Sequence, residues 1–309
     1  MDKEFKIFSY ILVALAFVLY ANTLNHGYVL DDFSVIKENT IVQQGTDGIS
    51  TIWKTHYRQG YGYSQGNLFR PLPLTLFAIQ WEIAPDSPSF AHWFNVLLYC
   101  LLGVVLFYFL DLLLGKEHRL ISFAACLLFV AHPIHTEVVA NIKSIDDIMA
   151  FSFALLGLVL LIKHVEKRNL SYFWGSIALY TLAFFSKEST VTFLAIIPLC
   201  LVLFRQFKWS KAIQITSWYL IPLGIYLLTR INALGSFSGN KSIARLDNLL
   251  VAAPTELERL ATAIKILGLY FWKLIVPHPL MNDYSLKQIS IVGFDDLYPW
   301  LALLLYGLL

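Results

Sequence analysis

Long apolar runs separated by short polar connections dominate this chain, and the length of each run decides what it can become. A helix that crosses a membrane needs about 20 mostly apolar residues. Residues 7–24 and 93–114 meet that need cleanly. Residues 120–131 are apolar as far as His132-Pro133, and the run then resumes to Ala140. Runs 148–162, 172–185 and 190–204 have short cores, 212–229 is of full length, and Lys265 and Lys273 interrupt 261–276. A last run starts at Tyr298 and continues to Leu309, so the chain is expected to be a piece of a longer protein. The pattern predicts seven spans, an eighth weakened by its lysines and the beginning of a ninth. The expected fold is all-α: a polytopic bundle of transmembrane helices with a long loop, 25–92, after the first span. Residues 1–229 form its core, and residues 230–309 hold a further outer loop and the start of more spans.

Composition supports that reading. Of 309 residues, 57% are apolar and 14% charged, with a mean hydropathy of +0.62. Soluble domains run at roughly 45–50% and about 25%. A soluble globular enzyme, a disordered chain and a fibre are all excluded. A net charge of +2 provides no basic field for nucleic acid, which is not an expected partner. Cys100, Cys126 and Cys200 lie apart inside apolar stretches, with no disulfide or metal spacing.

Charge sets the orientation. Lys3, Lys6, Lys116, Arg119, Lys163, Lys167, Arg168, Arg205, Lys208 and Lys211 fall at the amino terminus and after even-numbered spans. The positive-inside rule makes that side cytoplasmic. Loop 25–92 and the connections around 132–147 and 186–189 are then expected on the outer face, periplasmic or lumenal. The short cores of the third to sixth spans draw their polar flanks to the membrane boundary. Those flanks are Glu137, Lys143, Asp146, Asp147, Lys187 and Glu188, which demand a polar cavity or mutual pairing.

Three groups of residues can carry chemistry. The first is Asp31-Asp32, flanked by Leu30 and Phe33. Adjacent carboxylates in apolar surroundings are expected to have one raised pKa, which suits general-base work on a hydroxyl; a turn or helix cap is the bland alternative. The second is His132-Pro133-Ile134-His135-Thr136-Glu137, with Lys143, Asp146 and Asp147 close behind. On a continuing helix, His132 with Thr136 and Lys143 with Asp147 would share faces. The spacing does not match a zinc-protease motif, so no metal is indicated, and these residues are expected to line a cavity. The third is Lys187-Glu188, where a lysine can meet a phosphate as a point charge or the pair can anchor the interface. Arg70 and Arg230 carry the same two readings. Tyr28, Trp53, Tyr57, Tyr61, Tyr63, Phe69, Trp81, Phe90 and Trp93 crowd the outer loop, as interfacial belt residues with a few candidate sugar platforms.

This arrangement resembles the GT-C superfamily of polytopic glycosyltransferases, and within it the transmembrane and tetratricopeptide-repeat O-mannosyltransferases (TMTC) with their bacterial relatives. The likeness rests on Tyr28-Val29-Leu30-Asp31-Asp32, Arg70-Pro71-Leu72, His92-Trp93-Phe94-Asn95, His132-Pro133-Ile134-His135-Thr136-Glu137 and Lys187-Glu188. Asp247-Asn248 and the segment from Arg259 to Asn282-Asp283-Tyr284-Ser285 extend it. Asn141-Ile142-Lys143-Ser144 departs from the shorter string usual in animal members, and no tetratricopeptide repeats follow.

The resemblance implies transfer of a sugar, mannose first of all, from a polyprenyl- or dolichyl-phosphate donor to a protein Ser/Thr or glycan hydroxyl, with inversion. Asp31 would be the base and Asp32 would orient it or share the role. Lys187, Arg70, Lys143 and Arg230, in that order, would face the donor phosphate. His132, His135, Glu137, Asp146, Asp147 and Glu188 would shape the cavity. No cofactor beyond the lipid-linked sugar is implied. The protein would reside in a bacterial inner membrane or the endoplasmic reticulum membrane. A secondary transporter and a non-catalytic scaffold are the rival readings; a transporter places charges near the midplane and shows repeats, whereas these charges sit at span ends.

Overall fold

The computed structural model describes residues 2–62, 66–235, 248–281, 284 and 288–308. It separates into two compact units, residues 1–131 with 135–239 and residues 132–134 with 240–309. The larger unit opens with α1 (Lys3–Tyr20), capped by Asp2, whose carboxylate accepts from the Phe5 N–H at 3.0 Å. Leu12, Ala16 and Tyr20 recur on one face and are buried, as helical periodicity requires. The short turns Ala21–Asn25, Phe33–Lys37, Val42–Gly48, Ile49–Ile52 and Gln59–Tyr61 follow, then α2 (Pro71–Ile83), which starts on a proline at the position where a missing N–H costs nothing. Val35, Ile36, Val42, Ile52, Leu74 and Phe77 bury one face of this long connection together with Ile142 and Ile145.

Helix α3 (Pro88–Leu114) lies along α1, with Phe107 stacked on Phe5 at 4.8 Å. Helix α4 (Arg119–Ala131) joins them through Phe123, stacked on Phe8 at 4.2 Å. Helices α5 (Ile145–Lys167) and α6 (Leu170–Ser186) form an antiparallel hairpin turned by Arg168, at a φ of 52°, and by Asn169, which caps α6. Their close approach depends on Gly157, since a Cβ there would sit 2.7 Å from the Tyr180 ring. Ser176 bridges the hairpin by donating to the Gly157 carbonyl at 2.7 Å. Helices α7 (Phe193–Arg205), α8 (Trp209–Ser217) and α9 (Leu220–Leu234) complete this unit.

Among the described residues, five helical stretches are long and apolar enough to cross a membrane: 3–25, 88–114, 142–167, 188–205 and 209–234. A sixth arises if Lys116–Ala131 and Pro133–Ala140, bent by 50°, count as one span. The sequence pattern gives seven, and the difference is α6, whose 17 residues fall just short. The 50° bend also corrects the expectation of a continuing helix after His132. Proline removes a helical hydrogen bond and clashes with the preceding turn. The chain passes instead through short turns at Pro133–His135, Thr136–Ala140 and Ile142–Ser144.

In the smaller unit, α10 (Glu256–Ile275) begins at a capping box between Thr255 and Glu258. It packs on α11 (Leu297–Leu308) where Gly268 faces Ala302, and Tyr306 donates to the Leu267 carbonyl at 3.1 Å. Helix α10, which covers the weakened eighth run, is not among the helices apolar enough to span.

Candidate functional site

The acidic pair sits on the turn that follows α1, where Leu30 adopts a φ of 45° and the chain reverses. That turn sends its two carboxylates apart. Asp32 is fully buried, and its Oδ2 accepts from the Val29 N–H at 3.0 Å while Oδ1 accepts from the Lys143 N–H at 2.8 Å. Burial pushes its pKa up to about 6, against the pull of backbone N–H groups at Val29, Lys143 and Ile142; the Asp31 charge adds to the rise. Asp31 points outward and pairs with Arg58, whose Nη2 lies 2.8 Å from Oδ1. The expected raised pKa therefore belongs to the second acid of the pair.

The segment that holds Asp32 is itself held. Asn95 on α3 is buried and donates to the carbonyls of Asn141 at 3.0 Å and Ile142 at 3.2 Å. This fixes the turn that presents the Lys143 N–H. The same residue reaches the charged cluster, because Lys143 Nζ lies 3.8 Å from Asp146.

That cluster contains three cations and three anions. Asp146, fully buried on the first turn of α5, accepts from Arg70 Nη1 at 2.7 Å and has Lys187 Nζ at 3.5 Å. Arg70 turns its other side to Glu188, with Nε donating to Oε2 at 2.8 Å and Nη2 to Oε1. Burial pulls against the Arg70 charge, but the hydrogen bond it donates to Glu188 and the charges of Asp146 and Glu188 win, and its pKa is raised. Lys187 also pairs with Asp147. The helical spacing that places Lys143 beside Asp147 is thus corrected: Lys143 turns to Asp146, and Asp147 to Lys187. Nor do Lys187 and Glu188 pair with each other, since each reaches a different helix.

Beside the cluster lies a cavity of about 280 Å³, lined by Asp147, His135, Ser189 and Thr190 on its polar side and by Tyr99, Phe129, Phe151 and Phe193 on its apolar side. His135 packs its ring on Phe129 at 4.3 Å. Glu137 is exposed on the short turn that follows. Arg230 on α9 donates to the Asn67 carbonyl at 3.0 Å, three residues before Arg70. His132 belongs to the smaller unit, where its Nε2 meets the Leu274 carbonyl at 3.1 Å. Among the described residues no group of three His, Cys, Asp or Glu could hold a metal ion. Tyr63, Asp247, Asn282, Asp283 and Ser285 lie outside the described residues.

Sequence reasoning did not single out Arg58, and Asn95 entered it only as part of a resemblance. A lone arginine in a glycine-rich loop has no periodic signal, and an asparagine near a helix start reads as a cap. The outer-loop aromatics divide as well: Tyr57 and Phe69 are core residues, and Trp53 packs edge-on to Phe185 at 4.9 Å.

No protein-family model matches the chain. No solved structure matches it. Curated proteins do. The chain is 29% identical over 297 residues to the human Protein O-mannosyl-transferase TMTC2, covering 90% of this chain and 35% of the relative. It is 27% identical over 291 residues to the Caenorhabditis elegans Protein O-mannosyl-transferase F38B6.6, covering 91% and 40%. With the Drosophila melanogaster Protein O-mannosyl-transferase Tmtc1 the identity is 32% over 196 residues, or 62% of this chain and 22% of the relative. The chain thus resembles the TMTC proteins along nearly its whole length, and it spans about a third of the length of the curated relatives it matches.

Proposed function

We propose that this chain carries the catalytic core of a membrane glycosyltransferase, which moves mannose from a polyprenyl- or dolichyl-phosphate donor to a protein Ser/Thr hydroxyl. The observation that carries the reading is the double role of Lys143. Its backbone N–H holds the buried acid of the pair and its amine joins the buried cation cluster. One residue therefore sets the spacing between a candidate base and candidate phosphate-binding groups.

In the reaction, the acceptor hydroxyl oxygen attacks the anomeric carbon and its proton passes to Asp31. The bond from that carbon to the phosphate oxygen breaks on the opposite face, so configuration inverts and the lipid phosphate leaves with the electron pair. Negative charge grows on the phosphate, where a fixed cation lowers the barrier most. Lys187 and Lys143 suit that task better than Arg70, whose guanidinium is committed to Asp146 and Glu188. Arg70 instead fixes the acids against which the lysines are placed. Arg230 is a further candidate at the edge. Asp32, anchored by backbone N–H groups, orients Asp31. The cavity lined by His135, Asp147 and Ser189 receives the sugar or the first part of the lipid. The active face is the outer one, periplasmic or lumenal, away from the basic connections, and the donor itself is the only small molecule required.

The test is transfer of labelled mannose from polyprenyl-phosphate mannose in membranes, using the longest natural chain that contains this segment. A general base is worth about 10²–10⁴ in rate. Asp31→Asn should lower turnover by about 10³-fold in protein that extracts and migrates as wild type. Unchanged turnover would sink the assignment of the base, and a scaffold would show no dependence on Asp31 at all.

A further inference from the structure

Arg58 contributes little to the fold, yet its backbone is fixed on both sides. Tyr57, immediately before it, is buried; its N–H donates to the Leu68 carbonyl at 2.9 Å, and its ring lies 5.7 Å from the Arg70 guanidinium. Just after it, the turn Gln59–Tyr61 is tied down through Gly60, whose carbonyl accepts from the Thr40 N–H at 3.0 Å and the Thr40 hydroxyl at 2.9 Å. Gly60 lies so close to Asn39 that a Cβ there would collide with the Asn39 amide. Tyr57 thus ties this loop to the cation cluster, and Gly60 ties it to the Asn39-Thr40 segment that follows the helical turn after the acidic pair.

From this mount Arg58 reaches Asp31. The pair is half exposed, with side chains 30% and 46% accessible. Ion pairs open to water add little to stability. The Arg58 Nη2 lies 2.8 Å from Oδ1, so the charge of the guanidinium restrains where the Asp31 carboxylate sits. A base held in one orientation avoids the rotational search that a free surface carboxylate makes at each turnover.

We propose that Arg58 is the positioning residue for Asp31, holding its carboxylate by this ion pair where it takes the proton of the acceptor hydroxyl. The inference rests on the glycosyltransferase reading above. Arg58 acts through Asp31 and touches neither the donor phosphate nor the sugar.

The experiment measures kcat and KM for polyprenyl-phosphate mannose in membranes carrying wild type, Arg58→Gln, Arg58→Lys, Asp31→Asn and the double variant, with extractable folded protein quantified for each. Arg58→Gln is expected to lower kcat about 30-fold with donor KM within about twofold, because alignment is lost and binding is kept. Arg58→Lys, which retains a cation, should recover most of that loss. The double variant should be no slower than Asp31→Asn in single-turnover assays, since a positioning residue has nothing left to position. A wild-type kcat in Arg58→Gln, with Asp31→Asn inactive, overturns the proposal and leaves the enzyme reading intact. A raised donor KM with multiplicative loss in the double variant overturns it too, by placing Arg58 on the donor. If Asp31→Asn turns over like wild type, the reading itself falls and the proposal falls with it.

Discussion

Arg119 and Arg70 are both buried and both gripped by carboxylates, near opposite ends of α3, where Asp111 binds Arg119 and Asn95 holds the turn that leads to Asp146. Arg119 stands where α1 begins and α3 ends. Its Nε meets Asp111 at 2.8 Å, and its Nη1 meets Asp2 at 2.8 Å and Glu4 at 3.0 Å. Its own ring contact is Phe5, 5.9 Å away. Every partner belongs to α1 or α3 or to the cap of α1, so the network ties together the ends of packed helices. Arg70 stands near the start of α5 and binds Asp146 and Glu188, but there the charge does not end with the arginine. Lys143 and Lys187 both press on Asp146, Lys187 also pairs with Asp147, and a cavity opens beside Asp147. Similar chemistry thus makes a strut at one end and a site at the other. Lys116 also reaches Asp2 at 3.6 Å but stands exposed, so what distinguishes the two is the crowding of largely buried cations beside an open space, a cost in self-repulsion that packing alone does not require.

The largest effect that would sharpen this contrast is at Lys187. Removing one preorganised donor to a developing oxyanion typically costs about 10²–10³ in rate. Lys187→Gln should lower kcat about 10²-fold with folded protein unchanged, as read by transfer assays normalised to extractable protein. A mere anchor at the interface would leave kcat where it was. Arg119→Gln should do the opposite. It strands Asp111 and is expected to cost about 3 kcal/mol of stability, with Asp2 and Glu4 adding little because water reaches them. Thermal unfolding in detergent should show that loss, while turnover per folded molecule stays at wild type. A specific fall in kcat for Arg119→Gln would break the comparison.

Much of this was legible in the sequence, for reasons that differ between the two ends. The apolar runs are long, so composition and length suffice to locate the helices, and the α-helical bundle follows. Asp31, Asp32, Asp146, Lys143 and Lys187 stand out because ionised groups are rare in such a chain and expensive near lipid. Their partners were not legible. On a continuing helix Lys143 and Asp147 would share a face, but Lys143 sits on a separate short turn, Ile142–Ser144, ahead of α5, and its amine meets Asp146 three residues on. The link from Arg70 to Glu188 crosses 118 positions in sequence, and no local rule reports it. Arg119 is placed by the charge rule as a cytoplasmic flank, without any sign that it binds Asp111. Arg58 is the extreme case: its role depends on Gly60 and Asn39 meeting in space, which no periodicity encodes.

A smaller effect tests how the site is built rather than what it does. Asn95 gives up two hydrogen bonds, to Asn141 and Ile142, if it is replaced by alanine, and their carbonyls keep only the backbone N–H groups of Ser144 and Ile145. Asn95→Ala should cost about 2 kcal/mol of stability and about tenfold in kcat through the slackened Lys143 N–H. An equal loss of stability without loss of kcat would show that α3 supports the fold but not the acidic pair.

The smallest effect near neutral pH comes from Asp32. Its folded pKa, about 6, lies above the ordinary 3.8, so between those values the folded protein binds the proton that the unfolded chain has released. Stability from this group therefore falls as pH rises from about 4 to 6 and is flat above, and the ionised carboxylate at pH 7 is held at a cost. That cost is recovered only in catalysis, if the charge on Asp32 is what grips the Val29 and Lys143 N–H groups and so aims Asp31. Turnover should then drop by half near pH 6 and continue to fall below it, while thermal stability over the same range does not decline in step. Asp32→Asn should remove this limb, because the amide cannot ionise, and leave a lower, flatter profile. An acid limb that persists in Asp32→Asn would assign it to another group and would detach the buried acid from the chemistry of its exposed neighbour.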